Sequence, residues 1–544
     1  MSGKTFLALV GILLLAVFLR FWEIKEIPPG LYPDEAMNGN NAVEAMARDG
    51  LSVFYPDNNG REGLFMNIQA LSIKVFGSTP WALRIVSGIF GVLTVWGIFL
   101  LSRKMYHPLA SRNKIALFAA FFLATSFWHI NFSRIGFRAI MAPFFLVWGL
   151  YFFFKFYKDT GSPKSQMISA ALGGLFFGLG FHSYIAYRIA PLLLLLPIVS
   201  GWNRIRRETC FPCLTLIFIL FTAIAVIPLG LYFLDHPQDF FGRTSQISIF
   251  SEGSPIKALS VNVAKTLGMF WVYGDANWRH NFSGMPQLSW IVGLFFLLGI
   301  IFSLKNILKR DHPSEIEKFN SLFLIFWLAL MLAPVVISSE GLPHALRAII
   351  TIPPVMILSA YGLNNAYEAT IRWLKHKRKQ LPEHAHQLGR IKRELVLLVA
   401  LLFVAMAANA YDKYFNQWAG RVETYAAFNT RDWEMAMYLR SLPQDVKKYI
   451  VIVGEGIDPR IVTISSQSVL FGTETFLPEA RVEKNFHYVT PEELSAEFAK
   501  NPKQKAEIVF LGAENREISS SLLKQYKNLK MKIAGPFIVL ALTP

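Results

Sequence analysis

Apolar runs long enough to cross a bilayer recur along this chain of 544 residues, and they limit its fold more than any other feature. A spanning helix needs about 20 apolar residues, and only helices or closed barrels satisfy every backbone polar group inside lipid. The runs lie at 5–22, 81–102, 115–132, 136–154, 167–184, 185–202, 209–234, 288–304, 319–337, 346–366 and 394–411. We therefore predict a polytopic α-helical membrane protein with about 11 transmembrane helices, in agreement with a hydrophobic content of 53%.

Lys and Arg cluster in the short connections between the apolar runs, and this predicts the orientation. The clusters lie at 103–114, 155–164, 204–207, 305–310 and 372–393. If every run spans, all of them fall on one side, which the positive-inside rule assigns to the cytoplasm. The loops 23–80 and 235–287 and the segment 412–544 are then outside. Orientation and contact with anionic membrane lipids explain the net charge of +17, so we predict no nucleic-acid partner.

The last part of the chain has a different pattern from the apolar runs. Short strands alternating in polarity are predicted at 448–453, 507–511 and 537–542, and Thr490-Pro491-Glu492-Glu493 is a capping box at a helix start. We predict two domains, a transmembrane domain over 1–411 and a small soluble α/β domain over 412–544, outside the membrane.

The first predicted outer loop, 23–80, is long and polar, and it carries two adjacent carboxylates, Asp34 and Glu35, soon after the first apolar run. The spacing of Ala and Met residues after Glu35 predicts a short amphipathic helix on the membrane surface. Asp34 then stands at the start of that helix. Capping the helix and complementing its dipole is one explanation for these carboxylates, and catalysis is the other.

Four arginines lie on the predicted outer side, against the positive-inside bias. They are Arg134, Arg138, Arg188 and Arg347. Snorkelling to ordinary headgroups would explain any one of them. A lipid phosphate at this interface would explain all of them, because guanidinium groups pair with phosphate oxygens in a bidentate manner and stay charged.

A carboxylate beside phosphate-binding cations suits the displacement of a lipid phosphate from the anomeric carbon of a sugar. The carboxylate accepts the proton of the attacking acceptor hydroxyl, and the cations stabilise the charge that develops on the leaving phosphate. Neither group needs a redox cofactor.

Several motifs also carry a family resemblance. They are Pro29-x-x-x-Pro33-Asp34-Glu35-Ala36, Gly60-Arg61-Glu62-Gly63-Leu64-Phe65, Trp81-Ala82-Leu83-Arg84 and Ser133-Arg134-x-x-x-Arg138. Over roughly residues 1–365 the chain resembles the family 39 membrane glycosyltransferases of the C-type superfamily, which include protein O-mannosyltransferases and lipid A aminoarabinose transferases. The resemblance implies a C-type glycosyltransferase fold, a polyprenyl-phosphate-linked sugar donor, inversion at the anomeric carbon and an active site facing the periplasm or its equivalent. It implies a bacterial or archaeal plasma membrane as the location, and a protein, glycolipid or polysaccharide as the acceptor.

The resemblance also assigns residues. The family's Asp-Glu pair falls on Asp34, as general base, and Glu35, which orients the acceptor or the loop. Arg61 and Glu62 fall where relatives carry a charged pair before Pro-Pro, although this chain has Gly63-Leu64 there. Arg134, Arg138 and Arg347 match basic positions near the donor phosphate.

Further substrate-binding candidates are Tyr32, His129, Trp271 and Tyr273. The aromatic side chains suit stacking on a sugar, but they are equally typical of a membrane interface. His129, His182 and His344 lie near the predicted outer ends of spans, where histidines more often form hydrogen bonds than bind metal. We therefore assign none of these residues as metal ligands and predict no cofactor. A divalent cation is left as an alternative that no motif indicates.

Two other classes of function remain. A polyprenyl-linked lipid transporter or flippase is also polytopic and also has basic cytoplasmic loops. It should, however, carry ionisable residues or helix breaks in paired spans near the bilayer midplane. A non-catalytic glycan-binding or assembly protein is the other alternative. The notable polar residues lie in the predicted outer loops, which favours the transferase.

Overall fold

The fold is described by a computed structural model. It covers residues 1–47, 50–56, 60–158, 161–200, 210–240, 255–308, 314–339, 341–452, 466–500, 504–512 and 516–542. The predicted basic cluster at 204–207 and part of the predicted loop 235–287 lie outside the described residues.

Helices dominate the first 440 residues. The helices in this part are α1 (Gly3–Phe21), α2 (Pro33–Ala47), α3 (Leu64–Phe76), α4 (Pro80–Met105), α5 (Arg112–Thr125), α6 (Phe127–Phe132), α7 (Met141–Lys158), α8 (Pro163–Leu179), α9 (Leu195–Ser200), α10 (Cys210–Asp235), α11 (Pro255–Gly268), α12 (Trp290–Leu308), α13 (Glu315–Val336), α14 (Ile352–Gln380), α15 (Ala385–Tyr411), α16 (Val422–Ala427) and α17 (Thr430–Ser441). Their starts follow local sequence signals. For example, the Thr79 hydroxyl accepts the Ala82 N–H before α4, and Pro80 occupies its first position.

Eight helices of the described part are long and apolar enough to cross a membrane. They span Gly3–Phe21, Pro80–Met105, Arg138–Lys158, Phe211–Asp235, Trp290–Leu308, Glu315–Val336, Ile349–Gln380 and His386–Trp418. The prediction of a polytopic helical membrane protein is confirmed, whereas the count of 11 is not. Ser126 separates α5 from α6, α8 has 17 residues, and residues 185–194 form a 3₁₀ helix that contains Pro191.

The predicted amphipathic helix exists as α2, but it does not lie open on a surface. Most of its first nine residues are buried, because α3 and α4 pack on one side of it and the C-terminal region packs on the other. Glu35 and Asn38 through Asn41 are among the buried residues. A polar sequence therefore lies inside the protein, where its side chains need partners.

A five-stranded sheet forms the core of the C-terminal region. Its strands are β3 (Lys447–Ile452), β4 (Phe486–Val489), β5 (Ala506–Leu511), β6 (Leu529–Ala534) and β7 (Phe537–Leu542), and a short hairpin of β1 (Phe54–Tyr55) and β2 (Arg61–Glu62) precedes them in the chain. The order is β4-β3-β5-β7-β6; β3 is parallel to β4 and β5, and β7 is antiparallel to β5 and β6. The helices here are α18 (Gln467–Thr473), α19 (Pro478–Glu483), α20 (Pro491–Lys500) and α21 (Arg516–Gln525).

The predicted capping box is present at the start of α20. The Thr490 N–H donates to the Glu493 carboxylate over 3.0 Å, and the Glu493 N–H donates to the Thr490 hydroxyl over 3.3 Å. The three predicted strands correspond to β3, β5 and β7. The predicted boundary at 411 remains a prediction, since α15 continues without a break into a π-helix over Asp412–Trp418.

Candidate active site

A small open cleft contains the first of the two adjacent carboxylates. Asp34 lies in the first turn of α2 and is half-buried. The cleft is lined by Asp34, Asn38, Arg61, Phe137, Arg138, Ala139, Tyr184 and Leu346. Three of the predicted site residues, Asp34, Arg61 and Arg138, therefore line the same cleft. A carboxylate in such a position can reach a ligand that enters from solvent.

Glu35 has a different environment from its neighbour. It is fully buried and forms an ion pair with Arg84, whose side chain is also fully buried. The Arg84 Nε donates to Glu35 Oε1 over 3.0 Å, and the Gly136 N–H donates to the same oxygen over 2.7 Å. Arg84 further donates to the carbonyl oxygens of Pro28 and Gly30, over 2.5 and 2.8 Å. Glu35 thus ties the loop before α2 to α4 and to the turn at Gly136.

Arg61 and Glu62 form strand β2, which pairs with β1. Arg61 is buried and donates to the side-chain oxygens of Asn38 over 2.7 Å and Asn41 over 2.5 Å. Two amides one helical turn apart on α2 therefore hold this guanidinium at the cleft wall. Of the pair, Arg61 lines the cleft directly.

Glu62 lies between two cations. Its Oε2 accepts from Arg138 Nε over 2.9 Å, and its Oε1 is 3.9 Å from a terminal nitrogen of Arg188. The three side chains carry a net charge of one positive unit, since one carboxylate faces two guanidinium groups. An anion that binds here would meet excess positive charge.

An apolar groove begins at Arg188. It is lined by Phe181, Arg188, Val226, Leu229, Gly230, Phe233, Leu234, Pro237 and Phe240. Arg188 lies over the rings of Phe233 and Phe240, 5.1 and 4.3 Å from their centroids, and donates to the Phe240 carbonyl oxygen. Glu62 bridges Arg138 in the cleft and Arg188 in the groove, so the polar cleft and the apolar groove adjoin.

Arg134 does not line the cleft, although its sequence position is close to that of Arg138. It is fully buried and donates to the carbonyl oxygens of Leu19 and Ile27, over 3.3 and 2.8 Å. Its guanidinium also lies 5.3 and 4.8 Å from the ring centroids of Tyr414 and Phe415. These contacts link the end of α1 to the π-helix and leave the guanidinium away from the cleft.

Arg347 and His129 are likewise held by protein groups outside the cleft lining. Arg347 donates to the Ser338 hydroxyl, and its backbone N–H donates to His344 Nδ1 over 3.4 Å. His129 is buried, with its Nδ1 2.9 Å from a terminal nitrogen of Arg20. The positions of both side chains give no direct support to phosphate or sugar binding.

Tyr32 stands beside the cleft wall. The Arg279 guanidinium is centred 3.9 Å from the Tyr32 ring centroid, and the ring lies 6.1 Å from that of Phe137 in an edge arrangement. Burial, followed by the negative charge of Asp34, raises the pKa of Tyr32 to about 12, although Arg279 opposes the shift. Tyr32 therefore stays a neutral hydroxyl near Asp34.

Trp271 and Tyr273 do not line the cleft either. The Trp271 indole N–H donates to the Gly293 carbonyl oxygen over 2.8 Å, and its ring stacks on Phe296. Tyr273 is exposed and lies close to Gly284. Trp271 thus packs at the start of α12, as expected of an interface aromatic side chain.

Sequence reasoning missed several residues that build this site. Arg84 was part of a family motif, but its partner was not predicted. Arg279, which lies over the Tyr32 ring, was not predicted. Asp275 was not considered: its carboxylate accepts from the Ala345 N–H over 2.8 Å and lies 3.1 Å from His280 Nδ1. Although burial raises the pKa of Asp275, its hydrogen bond and the positive charges of His280 and His344 outweigh that effect and lower it. The composition of the segment 275–280, with one acid and one histidine, was the only available signal.

The family comparison matches a part of the chain that contributes some residues of this site, but not Asp34 or Arg61. The model of the dolichyl-phosphate-mannose-protein mannosyltransferase family matches residues 64–228, which include Arg84, Arg138 and Arg188. No curated protein matches the sequence at a significant level.

Solved structures extend the comparison to the whole chain. ArnT from Cupriavidus metallidurans bound to undecaprenyl phosphate matches with a TM-score of 0.58 and 12% identity, over 99% of this chain and 98% of that one. The fold is that of the C-type glycosyltransferases. The apo oligosaccharyltransferase of Archaeoglobus fulgidus matches with a TM-score of 0.55 and 16% identity, over 97% of this chain and 69% of that one. The predicted resemblance and the C-type fold are both confirmed.

A third matching structure contains a lipid phosphate. The archaeal oligosaccharyltransferase AglB from Archaeoglobus fulgidus, in complex with an inhibitory peptide and a dolichol-phosphate, matches with a TM-score of 0.52 and 13% identity, over 93% of this chain and 69% of that one. At such identities the comparison establishes the C-type fold and an integral membrane protein, and activity has to be argued from the site.

Proposed function

We propose that this protein transfers a sugar from a polyprenyl-phosphate-linked donor to an acceptor hydroxyl. The observation that carries the proposal is the junction of the Asp34 cleft with the apolar groove through the Arg138–Glu62–Arg188 cluster. A donor of this class has a long apolar chain, a phosphate and a sugar, in that order. Groove, cation cluster and carboxylate follow one another in the same order.

In the proposed reaction Asp34 acts as the general base. Its carboxylate takes the proton of the acceptor hydroxyl while that oxygen attacks the anomeric carbon, and the bond from this carbon to the phosphate oxygen breaks. Polyprenyl phosphate leaves with an added negative charge, which Arg138 and Arg188 stabilise. A single displacement of this kind inverts the anomeric centre.

The remaining predicted site residues act as supports in this mechanism. Arg61 sets the cleft wall, Glu62 orients the two cations, and Glu35 fixes the loop that carries Asp34. We place the cleft and the residues from 412 onward on the outer side of the membrane, as the charge bias predicts. The similar structures that contain undecaprenyl phosphate or dolichol-phosphate support a polyprenyl lipid as the carrier of the sugar. Protein, glycolipid and polysaccharide hydroxyls all remain candidate acceptors.

Sugar transfer in reconstituted vesicles tests the proposal. The native protein and Asp34→Asn are compared, using a mixed pool of polyprenyl-phosphate sugars and acceptors, with donor binding measured separately. Asn keeps the shape of Asp but is a poor base, so we expect transfer to fall by about 100-fold or more while donor binding persists. Glu44→Gln is the matched control, since Glu44 lies on the same helix and does not line the cleft.

The outcomes separate the candidate functions. Equal transfer by native protein and Asp34→Asn would return Asp34 to a helix-capping role. No transfer by either protein, together with movement of the lipid across the bilayer, would favour the flippase.

A further inference from the structure

Three potential metal ligands meet behind the cleft, on two separate segments of the chain. They are Asp275, His280 and His344, and one ligand atom from each lies within 4.8 Å of the other two. Asp275 Oδ2 is 3.1 Å from His280 Nδ1 and 3.8 Å from His344 Nδ1. Asp275 and His280 are buried, and His344 is partly exposed.

These spacings fit a tetrahedral ion. With metal–ligand bonds of about 2.0–2.1 Å, two ligand atoms at the tetrahedral angle are about 3.3 Å apart. The two Asp275 distances lie on either side of that value. Two of the three separations are therefore close to the tetrahedral value, and the third, between the two histidines, is at most 4.8 Å, so a modest movement of the His344 ring would bring all three atoms onto one ion.

The segment that carries two of the ligands is held in place by its own hydrogen bonds. Asp275 Oδ1 accepts the Asn277 N–H over 2.8 Å, and the Asn281 side-chain amide donates to the carbonyl oxygens of Asp275 and Met285. A Cβ at Gly274 would lie 2.2 Å from the Met285 carbonyl oxygen, so only glycine allows these two parts of the backbone to approach so closely. Such fixed geometry lowers the cost of assembling a metal site.

We propose that Asp275, His280 and His344 bind one Zn²⁺ ion or a chemically similar first-row divalent ion. Two imidazoles and one carboxylate suit this class, and three protein ligands leave a fourth position for water. The partly exposed His344 provides access from solvent. The ion joins the segment 275–280 to the segment around Leu346, which lines the cleft. His280 also contacts Phe137 of the cleft lining, with ring centroids 6.3 Å apart. The ion positions the cleft wall, and the proposal is independent of the role of Asp34.

Metal binding by the full-length protein tests this inference. The protein is purified in detergent through a tag without histidine, depleted of metal, and titrated with Zn²⁺ followed by elemental analysis. We expect about one ion per chain in the native protein. Asp275→Asn and His344→Gln should raise the Kd more than about 100-fold, because even residues behind metal ligands change affinity 10- to 100-fold. His384→Gln, an exposed histidine elsewhere, is the matched control.

A Co²⁺ spectrum of the native protein keeps the test decisive if a variant fails to fold. A tetrahedral cobalt spectrum that disappears on addition of Zn²⁺ supports the site, whereas the spectrum of hydrated cobalt overturns it. Sub-stoichiometric Zn²⁺ binding by the native protein, or equal binding by native protein, control and both variants, overturns it as well. In that case the three residues form a hydrogen-bonded cluster only, and the test of Asp34 is unaffected.

Discussion

Replacing Glu35 by Gln tests whether this carboxylate holds the loop or takes part in the chemistry. Glu35 and Arg84 are both fully buried, so removing one charge leaves the other uncompensated. Breaking a buried pair in this way costs about 3–5 kcal/mol of unfolding free energy. Because Gln can still accept the Gly136 N–H, we expect a loss at the lower end, about 3 kcal/mol.

Arg84→Met should be more destabilising than Glu35→Gln. It removes the partner of Glu35 and also the donors to the carbonyl oxygens of Pro28 and Gly30. Each buried acceptor left unsatisfied costs about 1–3 kcal/mol, so the difference between the two variants should be about 2 kcal/mol or more. The double variant should lose less than the sum of both, since the ion pair can be lost only once.

The assay is reversible unfolding of the native protein and the three variants in one lipid or detergent system, with sugar transfer measured at a temperature where each remains folded. Glu394→Gln is the control, because its ion pair with Arg390 is largely exposed and should contribute little. We expect transfer by folded Glu35→Gln to fall far less than transfer by Asp34→Asn. A Glu35→Gln protein as stable as the control but devoid of transfer would refute the structural role.

Two further predictions concern the donor and the orientation. Arg138→Gln should raise the KM for the lipid donor by about 10- to 100-fold, because a hydrogen bond to a charged group contributes about 1.5–3 kcal/mol. Steady-state kinetics measure this change. An unchanged KM would mean that Arg138 only pairs with Glu62. After both native cysteines are replaced by serine, Asn528→Cys should react with a membrane-impermeant maleimide added to intact cells and Gln380→Cys should not; the reverse pattern would invert the proposed topology.

The sequence predicted the type of fold because its main signals are local. Span-length apolar runs, the capping box at Thr490 and the strand patterns of β3, β5 and β7 each depend on neighbouring residues. The strands β4 and β6 were not predicted. Strand β4 has only 4 residues, and β6 has the alternating sequence Leu-Lys-Met-Lys-Ile-Ala but is mostly exposed on both faces, as an edge strand of the sheet. The shorter helices around Ser126 and Pro191 show why counting apolar residues overestimates membrane-length helices.

The roles of the charged residues depend on distant contacts that local pattern does not contain. Arg134 and Arg138 are close neighbours in the sequence, yet Arg134 packs against the π-helix and Arg138 pairs with Glu62. Asp275 and His280 meet His344 across more than 60 residues. A single sequence gives the kinds of side chains available, and the tertiary fold decides which of them meet.

The C-terminal region acts on the cleft through α2 rather than by lining it. Among the described residues, all those that line the cleft precede position 350. The Asn40 amide donates to both the backbone and side-chain oxygens of Gln467, and the Ser468 hydroxyl donates to the Leu31 carbonyl oxygen. Arg84 and Glu35 hold α2 on its other side. The helix that carries Asp34 is therefore fixed between the membrane bundle and the C-terminal region, and a polar helix can be buried there because both sides supply hydrogen-bond partners.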